Sequence, residues 1–135
     1  MKGASPTRKK EFRFELDLRS GVPVYRQIID QVLGGISAGV LPAGHQLPTV
    51  RQLAVDLAIN PNTVVRAYRE MEIRGILSTQ QGTGTFITGQ QLKPDNRERE
   101  RRIAQLVGEL LAKAGAEGIA LEDILEYLNG TDRRP

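Results

Sequence analysis

Asn60, Asn62, Arg66 and Arg69 are the residues whose types and spacing point most directly to chemistry. Amide and guanidinium side chains donate hydrogen bonds to phosphate oxygens and base edges, which is how proteins hold and read duplex nucleic acids. At helical spacing, Asn62, Val65, Arg66 and Arg69 share one stripe, while Val64, Ala67, Tyr68 and Met71 form an apolar stripe on the opposite side. Asn60 is a suitable N-cap, and Pro61 fits the first helical position, where its missing N–H costs nothing. Asn60 to Arg74 therefore reads as a short capped helix with a basic outer face. Taken alone, such a face is more simply a solvated one, so the neighbouring elements must decide.

Just before it, Thr49 can cap a helix carrying Val50, Leu53, Ala54 and Leu57 at i, i+3, i+4 and i+7. Ala58-Ile59 is a very short link between the two. Two helices separated by about three residues, the second opening with donors, have the spacing of a helix-turn-helix. Just after it, Ile76–Thr79 and Thr85–Thr88 read as short strands around Gln80-Gln81-Gly82-Thr83-Gly84, a hairpin tip rich in backbone freedom. Gly-Thr-Gly is not a phosphate cradle for a nucleotide, because no Lys-Ser/Thr and no helix follow it. A wing laid against DNA phosphates or the minor groove uses the same exposed N–H groups.

Upstream, residues 1–11 read as a flexible arm with Lys2, Arg8, Lys9 and Lys10, able to track a phosphate backbone or to serve only as a solubilising tail. Phe12, Phe14, Leu16 and Leu18 alternate with Arg13, Glu15 and Asp17, the pattern of a half-buried strand. After Ser20-Gly21-Val22-Pro23, a broad apolar face (Val24, Tyr25, Ile28, Ile29, Val32, Leu33, Ile36) marks a helix ending near Gly39. Leu41 to Pro48 reads as a loop, with His45 as a turn residue.

The 135 residues allow one modest core with a small appendage. Net charge is +3, but residues 1–91 carry 11 Lys/Arg against 7 Asp/Glu, and residues 92–135 carry 8 against 9. An anionic partner is thus expected for the first part only. With no cysteine and one histidine, disulfides, thiolate metal sites and two-histidine arrangements are excluded. No paired-carboxylate, Cys/His or Ser/His constellation is present, so an enzyme is the weakest reading, and no cofactor or metal is expected. No apolar run approaches the ~20 residues that span a bilayer, and no leader is apparent; no membrane association and a cytoplasmic location are expected.

Residues 91–135 read differently. Leu92 to Arg102 is highly charged, broken by Pro94, with i,i+4 pairs Asp95–Arg99 and Glu98–Arg102. Ile103, Leu106, Val107, Leu110 and Leu111 then form an apolar stripe, which Gly115 and Gly118 interrupt. Leu121, Ile124, Leu125 and Leu128 form a second on a shorter helix. Each such side chain contributes ~1.5–3 kcal/mol when fully buried, and two short helices cannot bury all nine between themselves. They need the body of the same chain or, as the preferred reading, the equivalent helices of a second copy in a two-fold homodimer.

Five stretches in order strongly resemble the GntR family of bacterial transcription regulators: Pro23-Val24-Tyr25-Arg26-Gln27-Ile28, Leu47-Pro48-Thr49-Val50-Arg51-Gln52-Leu53-Ala54, Asn60-Pro61-Asn62-Thr63-Val64, Gly75-Ile76-Leu77 and Gln81-Gly82-Thr83-Gly84-Thr85-Phe86. The resemblance covers about residues 20–90, and Asn-Pro-Asn-Thr-Val followed by Arg-Ala-Tyr resembles the YtrA-like subgroup, with its short two-helix C-terminal part. It implies a mainly α, α+β chain: a winged helix-turn-helix over residues 12–90, then a helical dimerisation segment over residues 91–135. It implies DNA contacts by Arg51, by Asn60, Pro61, Asn62 and Val65 on the recognition helix, and by Gln81 and Gly82 on the wing. Many members carry Arg or another donor where this chain has Pro61 and Val65; Val65 suits a thymine methyl group. With Thr63, Arg66, Arg69, Thr83 and Gly84 these make up the expected DNA-binding set. The expected partners are a double-stranded DNA operator, a second copy, and, if an effector exists, a small molecule in the dimer crevice, since the short tail cannot enclose a cavity of ~300–1,000 Å3. The resemblance also implies repression. The alternative is a winged-helix adaptor that binds proteins and reads no DNA sequence.

Overall fold

The computed structural model describes residues 11–89 and 96–130. Pro23, in extended backbone, opens α1 (Val24–Ser37), which buries Ile28, Ile29 and Val32 and ends at Ala38 before a left-handed Gly39. Gly35 lets the next segment close in: a Cβ there would lie 2.8 Å from Leu41 Cδ1 and 3.1 Å from the Phe12 ring. The chain then makes β1 (Gln46–Leu47), α2 (Val50–Leu57), α3 (Pro61–Ile73), β2 (Leu77–Gln80) and β3 (Gly84–Ile87). Helix α3 packs against both α1 and α2. Its Val64, Ala67, Tyr68 and Met71 are buried against Ile28, Ile29, Val32, Leu53, Leu77 and Ile87, as the 3.6-residue pattern predicts.

The sheet is antiparallel, in the order β1-β3-β2, with Gln46 opposite Phe86 and Thr79 opposite Thr85. Its third strand departs from expectation. Gln46–Leu47 falls in the stretch read as a loop, whereas the alternating stretch Phe12–Leu18 is no strand of the sheet. Its alternation is real as packing as far as Leu16: Phe12, Phe14 and Leu16 are half-buried between exposed Arg13, Glu15 and Asp17, and the two phenylalanine rings meet edge to face at 4.7 Å, whereas Leu18 is exposed. The backbone, however, is paired by side chains. Gln31 accepts from Glu15 N at 2.8 Å and donates to its carbonyl; Gln27, one turn earlier on α1, does the same for Asp17 at 2.8 and 2.9 Å. Two primary amides spaced i,i+4 match alternate residues of an extended chain, so a helix stands in for a neighbouring strand.

The chain divides into two compact units between Gln91 and Leu92. The second contains α4 (Asn96–Ala116) and α5 (Leu121–Leu128). Gly115 stays within α4, and the break comes at Gly118, in left-handed conformation, with Ile119 N donating back to Ala114 at 2.8 Å. Asp123 accepts from Ala120 N at 2.9 Å and satisfies a donor at the start of α5. Glu98 pairs with Arg101 at 3.3 Å; Asp95 and the basic residues Lys2, Arg8, Lys9 and Lys10 lie outside the described residues. Among the described residues no helix is long and apolar enough to cross a membrane.

Candidate nucleic-acid interface

The geometry of the α2–α3 turn decides what α3 presents outward. Thr49 Oγ1 accepts from Gln52 N at 3.0 Å and starts α2. Helix α2 stops at Ala58, which adopts φ 56 and ψ 47, a left-handed conformation rare for a residue with a Cβ. Ile59 N returns to Ala54 O at 3.0 Å, closing the turn. At the next residue Asn60 Oδ1 accepts from Asn62 N at 2.8 Å, and Pro61 begins α3. The Asn60 amide oxygen is thus engaged as a cap, so its NH2 group is what it offers outward, a donor suited to a phosphate. At the far side Tyr68 locks the helix pair, its hydroxyl donating to Pro48 O at 2.7 Å.

With the inner stripe buried, Pro61, Asn62, Arg66 and Arg69 are exposed, and Thr63 and Val65 are half-buried. Asn62, Val65, Arg66 and Arg69, with Glu70 and Ile73, line a shallow depression of about 390 Å3 along the outer face of α3. Arg51 is exposed in the first turn of α2. Among the described residues no ion pair engages Arg51, Arg66 or Arg69, whereas Arg74 is held by Glu70 at 3.6 Å. The Arg66 guanidinium lies 3.7 Å above the centre of the Tyr25 ring. Charge that no carboxylate neutralises, on the outward side of a helix, is available to an anion.

The wing is tied down on two sides. Gln81, Gly82 and Thr83 are exposed at the tip, where Thr83 N closes a turn to Gln80 O at 2.9 Å and Gly82 has φ 79. Gln46 of β1 donates to Thr83 O at 3.1 Å. Gly84 makes room for it: a Cβ on Gly84 would fall 2.3 Å from Gln46 Nε2. Lower down, the Thr79 hydroxyl donates to the Glu72 carboxylate of α3 and lies 3.2 Å from that of Thr85. Gln46, Glu72 and Tyr25 were not singled out from the sequence. Tyr25 reads there as part of an apolar face and of the first family-like stretch, with no role of its own, and Gln46 as part of a loop.

The remaining predicted residues lie elsewhere. Ile103, Leu106, Val107, Leu110, Leu111, Leu121, Leu125 and Leu128 are exposed on α4 and α5, and Ile124 is half-buried. His45 is exposed in its turn, its backbone bonded to Pro42 and Ile87. Among the described residues no cluster of His, Asp and Glu could hold a metal.

Residues 24–87 match the family model described as bacterial regulatory proteins, gntR family. The HTH-type transcriptional regulator Rv1152 of Mycobacterium tuberculosis is 39% identical over 84% of this chain and 88% of its own length. The chain belongs to the GntR family. The HTH-type transcriptional repressor YtrA of Bacillus subtilis is 35% identical, again over 84% of this chain and 88% of its own length. Among solved structures, the GntR-family factor YtrA of Sulfolobus acidocaldarius superimposes with a TM-score of 0.52 at 31% identity, covering 73% of this chain and 97% of that one. The protein is a GntR-family DNA-binding transcriptional regulator with a winged helix-turn-helix, of the YtrA-like subgroup.

Proposed function

We propose that this GntR-family regulator represses transcription as a homodimer, setting one α3 into each of two successive major grooves of an inverted-repeat operator. Half-sites lie about one helical turn apart, ~34–36 Å, with the wing gripping the adjoining backbone. Arg51, Arg66 and Arg69 supply phosphate or guanine contacts, Asn60 and Thr63 phosphate contacts, Asn62 an adenine or phosphate contact, and Val65 meets a thymine methyl group. Pro61 sets the entry of the helix, and Gln81, Gly82, Thr83 and Gly84 shape the wing. The observation that carries this reading is the outer side of α2 and α3, where among the described residues Arg51, Arg66 and Arg69 are in no ion pair, and Arg66 and Arg69 line the shallow depression at Val65. Repression is supported by the relative named as a repressor.

The dimer contact is assigned to α4 and α5, where Ile103, Leu106 and Leu110 remain about half exposed (50%, 51% and 48%). Any effector binds in the crevice between protomers. The test is selection of bound duplexes from a random pool. An inverted repeat bound steeply less well as salt rises is expected, with Arg51→Ala costing about 1–3 kcal/mol. Equal binding to every duplex would favour an adaptor. Sedimentation of a variant carrying Leu110→Asp and Leu125→Asp checks the assembly: a monomer with an intact first unit is expected, and an unaltered dimer moves the contact elsewhere.

A further inference from the structure

We infer that Tyr25 is a positioning residue for DNA recognition, its ring seating the Arg66 guanidinium on the outward side of α3 with its N–H donors unspent among the described residues. The inference rests on the DNA-binding reading and adds to it a residue of α1. Arg66 Cζ stands 3.7 Å from the ring centroid, well inside the ~6 Å reach of a cation–π contact. Tyr25 is itself held: it is half-buried and packs against the core through the first turn of α1, which lies against α3.

The chemistry of the seat matters. A carboxylate partner, like Glu70 beside Arg74, neutralises the guanidinium and occupies its donors. A ring engages only the π face, so the charge and the N–H fork remain for a phosphate or a guanine. Among the described residues Arg51 and Arg69 have no ring beneath them. Arg66 also walls the depression it shares with Asn62 and Val65, so fixing its head fixes what that depression accepts. An arginine already held loses less side-chain freedom on binding, equivalent to about two- to tenfold in affinity.

The experiment is a double-mutant cycle by fluorescence anisotropy on the duplex selected from the random pool, using wild type, Tyr25→Phe, Tyr25→Leu, Arg66→Ala and Tyr25→Leu/Arg66→Ala. Proton NMR of the free proteins accompanies it. Tyr25→Phe keeps the ring and should bind within about twofold of wild type, while Tyr25→Leu should bind two- to tenfold more weakly. The double variant should bind no more weakly than Arg66→Ala alone. The Arg66 δ-methylene protons should be shifted upfield by the ring current in wild type and Tyr25→Phe, and not in Tyr25→Leu. An equal loss from Tyr25→Leu with and without Arg66, or a Tyr25→Phe as weak as Tyr25→Leu, would overturn the inference alone. Failure of wild type to bind any duplex, with the ring-current shift present, would instead sink the DNA-binding reading on which it rests.

Discussion

Gln27 clasps Asp17 from both sides, accepting from its N–H at 2.8 Å and donating to its carbonyl at 2.9 Å. The same amide donates to Val22 O at 2.8 Å, so a single buried side chain on α1 organises the whole approach to that helix. Replacing it with Leu roughly keeps the volume and takes this partner from Asp17 N and Val22 O, while Asp17 O keeps Ser20 N and Oγ. Gln27→Leu should cost about 1–3 kcal/mol in urea unfolding and expose the Phe12–Asp17 segment to proteolysis. Unchanged stability together with unchanged cleavage would show that the amide pairing contributes nothing.

Ala58 carries the turn between α2 and α3 at φ 56. A Cβ in the left-handed region costs roughly 1–2 kcal/mol, and glycine removes it while adding freedom to the unfolded chain. Ala58→Gly should therefore stabilise the protein by about 0.5–1 kcal/mol net, with DNA affinity intact. A loss of stability in a denaturant melt would mean that the turn is not under strain.

Much of this was legible in the sequence, and the exceptions share a cause. The stripe Val64, Ala67, Tyr68 and Met71, the caps Thr49 and Asn60 and the hairpin around Gly82 follow from local rules of spacing and turn chemistry. Phe12–Leu18 misled because period-2 burial reports only which side chains face the core. It cannot say whether the backbone is paired by a strand or, as here, by Gln27 and Gln31 of a helix. Gln46–Leu47 is too short to leave a pattern and becomes a strand only because β3 lies beside it. The seating of Arg66 on Tyr25 joins residues far apart in the chain, so no spacing rule could announce it. The outward identity of Asn62, Arg66 and Arg69, by contrast, follows once the inner stripe is known.

Burial lifts the phenol of Tyr68 well above its ordinary value of 10.0. A raised pKa in the folded state means the native protein holds this proton more tightly than the unfolded chain does. The contribution is fully present below pH 10 and declines as pH rises beyond it. Tyr68→Phe should lower stability by about 0.5–1.5 kcal/mol at neutral pH, through loss of the bond to Pro48 O, and flatten the alkaline decline. Identical alkaline profiles for the two proteins would remove Tyr68 as the cause.

Gln46 acts on the wing from the neighbouring strand. Gln46→Ala releases the Thr83 carbonyl without altering any residue assigned to DNA. It should weaken operator binding by about 0.5–1.5 kcal/mol while leaving the melting temperature nearly unchanged. Full affinity in that variant would show that the tip needs no clasp.

The central claim, that the outward arginines of α3 lie against DNA, is met most directly by the salt dependence of binding. Anisotropy titrations of the selected duplex between 50 and 200 mM salt would compare wild type with Arg66→Ala/Arg69→Ala. If both guanidiniums neutralise phosphates, the slope of log K against log salt should become shallower by about two, with affinity lower throughout. Superimposable lines for the two proteins would contradict the account.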